Sequence, residues 1–259
     1  MSGLLLRLAG PLQSWGERSV FSPERDSAGF PTRSGLIGMF AAAEGLPRHT
    51  GLERYAPLEF TVRIDRPGTP LTDYQTSGGG LPDHLTPATS GGKHKGNAVI
   101  TRRHYLADAV FTVAATGPSA DIARIATALQ HPHWAPYLGR RACLPDEPFL
   151  LRSRVADPVE ELLHRVPLSP PAAHGGRRPS ASGTTLAVPF LWERYRRDQL
   201  PADAVAVSAY DQPRSFAPHS RSYGKRTVHR TLEQLPTTLA ADQSTLHRQL
   251  IDYAQEDAV

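Results

Sequence analysis

Between Lys93 and Tyr105 the chain gathers residue types that act on phosphodiesters: Lys93, His94, Lys95, His104 and Tyr105. A metal-independent ribonuclease needs a general base and acid titrating near neutrality and a cation for the phosphate, and all are available in this segment. The same residues could equally hold RNA without cutting it, because holding needs no matched pair of pKa values. Other chemistries find less support. In Ser90-Gly91-Gly92-Lys93 a phosphate loop would require glycine at 87 and Ser or Thr at 94, where Pro87 and His94 stand. Gly78-x-Gly80 does not complete a dinucleotide-binding Gly-x-Gly-x-x-Gly pattern, because Asp83 occupies the place of its last glycine. His131 and His133 straddle Pro132 with no carboxylate or thiol at a spacing that completes a metal site, so neither metal nor cofactor is expected. There is no Gly-x-Ser-x-Gly elbow, and the single cysteine, Cys143, excludes an internal disulfide and a Cys-based zinc site.

The positive charge is uneven. No acidic residue separates Asp83 from Asp108, where Lys93, Lys95, Arg102 and Arg103 lie, nor Asp211 from Glu233, where Arg214, Arg221, Lys225, Arg226 and Arg230 lie. These two stretches carry nine positive charges against a total of +4, which leaves the rest of the chain at −5. Of 29 basic residues only three are lysine. Arginine suits phosphate and stacks on bases, but a GC-rich genome produces the same bias, so the bias alone decides nothing.

These residues need a scaffold. Hydrophobic content of 39% over 259 residues supports a packed core, and no run approaches the ~18 to 20 apolar residues of a membrane span. Met1 to Ala9 is too short for a signal peptide, so a soluble, cytoplasmic chain is expected. Gly3 to Ala9 reads as a buried strand. Thr32 caps a helix with Leu36, Ile37, Phe40 and Ala41 on its apolar stripe; Gly35 and Gly38 inside it cost roughly 1 kcal/mol each against alanine, so a sheet or a ligand must approach there. Leu58 to Arg66 is a second strand; Gly68 to Arg103 loses periodicity and reads as an inserted arm; Tyr105 to Ala115 is a third strand. A helix capped by Ser119 and a strand from Phe149 to Val155 follow. This order predicts an α+β, ferredoxin-like fold with residues 67–103 inserted into a domain of 1–66 and 104–259. Arg165 to Gly183 reads as a flexible loop, Leu186 to Trp192, Ala204 to Val207 and Ser222 to Leu232 as extra strands, and Asp242 to Asp257 as an amphipathic helix. The third strand lacks an RRM signature, so any RNA should be met by loops and the insert.

Leu6-Arg7-Leu8-Ala9-Gly10-Pro11-Leu12-Gln13-Ser14-Trp15-Gly16 and Phe30-Pro31-Thr32-Arg33-Ser34-Gly35-Leu36-Ile37-Gly38 together resemble the start of the CasD family, the CRISPR-associated RAMP subunits of type I-E Cascade. Asp73 to Thr76, Arg103 to Ala109 and Pro136 to Cys143 agree in order, covering roughly the first 150 residues; beyond Val155 the likeness is loose. The resemblance implies an RRM-like RAMP domain with an inserted β-hairpin thumb and extra C-terminal strands. It further implies a non-catalytic subunit that caps the five-prime handle of the crRNA. Its partners would be the backbone subunit, the large PAM-recognising subunit and, indirectly, target DNA. Relatives in type I-C systems cut repeat RNA with a tyrosine, a histidine and a lysine, so an endoribonuclease is the alternative.

On this reading Gln13, Ser14 and Trp15 follow the first strand in a loop, Trp15 being either a base-stacking platform or a core tryptophan. Arg33, beside free amides in a first helical turn, would bind phosphate. Lys93, Lys95, Arg102, Arg103 and His104 would line the thumb, and Tyr137, Arg140 and Arg141 would form a turn presenting guanidinium groups to RNA, unless either arginine pairs with Asp146 or Glu147.

Overall fold

The computed structural model describes residues 2–17, 23–86, 88, 92–94, 98–170, 181–218 and 220–256. The chain opens with strands β1 (Ser2–Ala9), β2 (Leu12–Gln13) and β3 (Glu24–Arg25), helix α1 (Arg33–Ala43), and strands β4 (Glu59–Arg66), β5 (Thr69–Ser77), β6 (Val99–Ala107) and β7 (Val110–Gly117). Helix α2 (Ser119–Gln130), β8 (Leu150–Val155), α3 (Pro158–His164), β9 (Ala181–Ser182), β10 (Thr185–Trp192), β11 (Val205–Ser215), β12 (Ser222–Pro236) and α4 (Leu246–Gln255) complete it. The fold is mixed α+β.

The apolar run of β1 makes it an inner strand of the large antiparallel sheet, ordered β11-β12-β10-β4-β7-β1-β8 with β9 on β10. Successive side chains of a strand point to opposite faces. Leu4, Leu6 and Leu8 accordingly join a core with α1 and α2, while Leu5 joins a second core with α3 and α4. Both faces of the sheet are thus covered at its centre, the second by Leu162, Leu163, Val188, Phe190, Trp192 and Tyr253, while β11 and β12 keep every other side chain largely exposed.

The expected single strand from Tyr105 to Ala115 is two. Asp108 takes φ 58°, a region Asp tolerates better than most residues, and the chain leaves the large sheet there. Facing it, Gly68 has φ 76°, and a Cβ on it would lie 2.7 Å from that of Ala109. The β4–β7 ladder, ending at Arg66↔Val110, therefore resumes as β5–β6 from Thr69↔Ala107, in a second sheet ordered β2-β6-β3 with β5 on β6. Arg66 and Asp108 join across the bend at 2.6 Å.

Helix α3 was not expected. Its signal is Asp157-Pro158: Asp157 accepts hydrogen bonds from the amides of Val159 and Glu160, and proline stands at the first turn. The buried Arg63 then donates to the carbonyls of Leu162, Val166 and Pro167, closing the helix's far end. Residues 165–170, read as flexible, are packed instead: Val166 and Leu168 lie in the second core, and Leu168 exchanges backbone hydrogen bonds with Leu239 and Ala241. Residues 171–180 lie outside the described residues.

Cys143 is buried, and burial pushes its thiol above the usual range. Native protein at pH 8 is expected to resist a thiol-reactive dye and to react fully in urea; rapid native labelling would contradict this placement.

Candidate nucleic-acid interface

Gln13, Ser14 and Trp15 are structural. Gln13 is fully buried; its Nε2 donates to the carbonyls of Leu8 and Ala109 at 2.9 and 2.8 Å, and its Oε1 accepts from Trp15 Nε1 at 3.0 Å. Trp15 is 1% exposed, and its ring lies against Gly35, where a Cβ would come within 2.8 Å of ring carbon Cε3. That contact answers the expectation of a close approach at Gly35. An unpaired base cannot reach the ring face, so the core reading holds over the stacking one. Ser14 Oγ donates to the carbonyl of His104 at 2.9 Å and tethers the loop to β6.

Arg33 is not a phosphate ligand either. Its Nη1 donates to Glu193 Oε2 at 2.6 Å and to the Leu58 carbonyl, and its Nη2 to the Tyr55 carbonyl. Its backbone amide donates to Asp211 Oδ2 at 2.6 Å, so the anion at the start of α1 is the chain's own carboxylate. Arg226 grips both oxygens of Asp211 and reaches Glu193 Oε1 at 2.9 Å. Two arginines and two carboxylates thereby close a neutral ring, with Asp211 fully buried. Burial pushes the Glu193 carboxyl upward, while Arg33 and Arg226 pull it back.

The arm is different. Lys93 and Arg102 are exposed; Arg102 stands 3.8 Å from Glu24, a separation worth little between solvated groups. Lys95 lies outside the described residues. Arg103 is half-buried opposite Asp73, and its Nε has no partner. His104 meets Thr72 Oγ1 through Nδ1 at 3.1 Å, and His94 Nδ1 lies 2.6 Å from the Thr86 carbonyl. Strand alternation puts Arg102 and His104 on one face of β6 and Arg103 with Tyr105 on the other. Among the described residues no group of three His, Cys, Asp or Glu side chains is arranged to hold a metal ion.

The turn at 137–143 divides its two arginines. Gly139 has φ 83°, and a Cβ there would run into the Ser14 carbonyl, so only glycine lets the turn dock. Arg140 is turned inward, its guanidinium 4.5 Å from the centre of the Tyr105 ring and its Nη2 donating to the Arg25 carbonyl. Arg141 is exposed and, with Tyr137, borders a cleft of about 780 Å³ over α1. Arg48, Trp134, Phe216, Arg221 and Tyr223 also line it. Arg48 and Trp134 lie in loops after α1 and α2, Phe216 and Arg221 in the turn between β11 and β12, and Tyr223 at the start of β12. The sequence had pointed to Gly38, Tyr137, Arg141 and, through the second basic stretch, Arg221; the cleft itself arises from elements remote in sequence.

A family model described as CRISPR-associated protein (Cas_Cas5) matches residues 3–229. The CRISPR system Cascade subunit CasD of Escherichia coli (strain K12) is 38% identical over 178 residues, 64% of this chain and 78% of that protein. A chain solved in a CRISPR RNA-guided surveillance complex is 46% identical, with a TM-score of 0.85 and coverage of 98% of this chain and 99% of that one. A crystal structure of a Cas protein is 28% identical, with a TM-score of 0.59 and coverage of 93% and 98%.

Proposed function

This chain belongs to the CRISPR-associated Cas5 family, and on that premise we propose that it is the non-catalytic subunit of a type I-E Cascade complex that holds the five-prime handle of the crRNA. It caps the guide and joins the backbone subunit to the large PAM-recognising subunit, meeting target DNA only indirectly. The observation that carries this reading is the match, end to end at 46% identity, with a chain of an RNA-guided surveillance complex. The strand order β8-β1-β7-β4, with α1 and α2 on one face, supports a ferredoxin-like domain of the RAMP kind. Residues 67–103 are then the thumb, which offers Lys93, Arg102 and Arg103 to phosphates.

The full chain is to be incubated with labelled repeat RNA in EDTA and run on two gels, one for shift and one for cleavage. A salt-sensitive shift with intact RNA is the expected outcome. Metal-independent cutting of the repeat that disappears on changing His94 or His104 would replace this reading with the endoribonuclease one.

A further inference from the structure

We infer that Arg7 anchors a carboxylate-binding site on the face of the large sheet opposite α1, near the bend where the sheet passes into the arm. Arg7 stands two residues along β1 from Leu5 and so shares its face, the one covered by α3 and α4. Its cross-strand neighbour is Thr112, whose neighbour on the other side is Arg63, so the three side chains form a row over β1, β7 and β4. Two members of that row are committed to Asp65. Arg63 forks its carboxylate at 2.7 and 3.1 Å, Thr112 Oγ1 donates to it at 3.3 Å, and the Ser169 amide does so at 3.2 Å. Arg7 is left out: although only 8% exposed, its guanidinium makes no hydrogen bond or ion pair with a described residue.

A buried charge without a partner is costly, so a fold that keeps one has a use for an anion there. Of the three nitrogens Nε alone is shut off from both partner and solvent, which leaves the two terminal nitrogens at the surface. They form a planar fork that matches the two oxygens of a carboxylate. Ser169 Oγ, on the residue whose amide reaches Asp65, and Arg66 Nε are further buried groups without a partner. The surrounding charges select the anion. Burial pulls the Arg7 guanidinium below the usual arginine range; Asp65 and Asp146 oppose this, and Arg66 adds to it. Asp65 is held by Arg63 and Asp108 by Arg66, leaving the exposed Asp146, which forms no ion pair with a described residue. A lone carboxylate adds one negative charge to this balance, whereas a nucleic-acid strand would bring its neighbouring phosphates up to Asp108 and Asp146.

The full chain and Arg7→Met are to be melted in sodium acetate and, at equal ionic strength, in sodium chloride and sodium phosphate. Acetate in place of chloride should raise the wild-type midpoint by about 3 °C more than that of Arg7→Met, the shift of a site filled at roughly ten times its dissociation constant. Subtracting the variant removes the general stabilising effect of the salt. In chloride Arg7→Met should melt at or above wild type, because an unpaired buried charge gives way to an apolar chain. Asp146→Asn keeps Arg7, lies at the surface and should enlarge the acetate shift by removing a competing carboxylate; it decides the matter alone if Arg7→Met does not fold. An acetate response equal in wild type and Arg7→Met, or one that Asp146→Asn leaves unchanged or diminishes, would overturn the site. A response to phosphate but not to acetate, lost with Arg7, would overturn the carboxylate assignment in favour of the RNA backbone. Where acetate acts as expected, capture of the other subunits of the complex by Arg7→Met separates the two sources of the group. Reduced capture with RNA binding intact assigns it to an Asp or Glu side chain of a partner, and undiminished capture to a small free carboxylate.

Discussion

Replacing Arg226 with methionine should lower the thermal midpoint by roughly 10 °C. Arg226 holds both oxygens of Asp211 and one of Glu193 within the closed ring that includes Arg33. Without it the pocket keeps two carboxylates and one cation, and an uncompensated buried charge costs about 3–5 kcal/mol. For a chain of this size each kcal/mol shifts the midpoint by about 2–4 °C. The deficit should depend on pH. Burial already holds the Glu193 carboxyl above its usual range, and losing Arg226 removes one of the cations that pull it down. A carboxyl whose pKa is raised by folding contributes most below its unfolded value, and that contribution is lost as pH rises through the folded value. The gap between variant and wild type should therefore narrow from pH 7 to pH 5. Adding Glu193→Gln restores charge balance and should recover part of the loss. A scanning calorimetry midpoint within 2 °C of wild type at pH 7, where about 10 °C is expected, would mean that the ring contributes little.

Changing Lys93, Arg102 and Arg103 together to glutamine should weaken repeat-RNA binding about 50-fold at 0.15 M salt. Three contacts at about 0.7 each on a single strand flatten the slope of log K against log salt by about 2. The three side chains lie away from the cores, Lys93 and Arg102 being exposed and Arg103 half-buried on the arm, so stability should change little. The salt titration carries the weight here, because a misfolded arm would lower affinity without moving the slope in proportion to the charges removed. An unchanged slope and affinity would mean that the arm's cations face protein or solvent instead.

Strand and helix positions were largely legible where burial imposes a period. The run at Gly3 to Ala9 and the stripe at Ile122, Ile125 and Leu129 took their expected places in the cores. Length was harder: β11 runs to Ser215, well past Val207, because its pairing with β12 is interrupted by a register shift between Ala209 and Gln212 that breaks the alternation. The bend at Asp108 was also hidden, since Tyr105 to Ala115 has strand composition throughout and only the facing Gly68 turns the ladder aside.

The candidate site divides along the same line. The acid-free segment around Lys93 and Arg102 was read as an inserted arm, and both side chains are exposed, because a run of like charges with no apolar period has no core to enter. Arg33, Trp15 and Gln13 were assigned from their neighbours in the chain, yet their partners are Asp211 and Glu193, Gly35, and Ala109. Composition and spacing by themselves determined that this chain opens with a buried strand and carries a basic, aperiodic stretch and two unexplained glycines in its first helix. Which cations are neutralised inside and which remain exposed was decided only by tertiary structure, because a charge is satisfied by whatever lies within a few ångströms in space, and distance along the chain does not measure that.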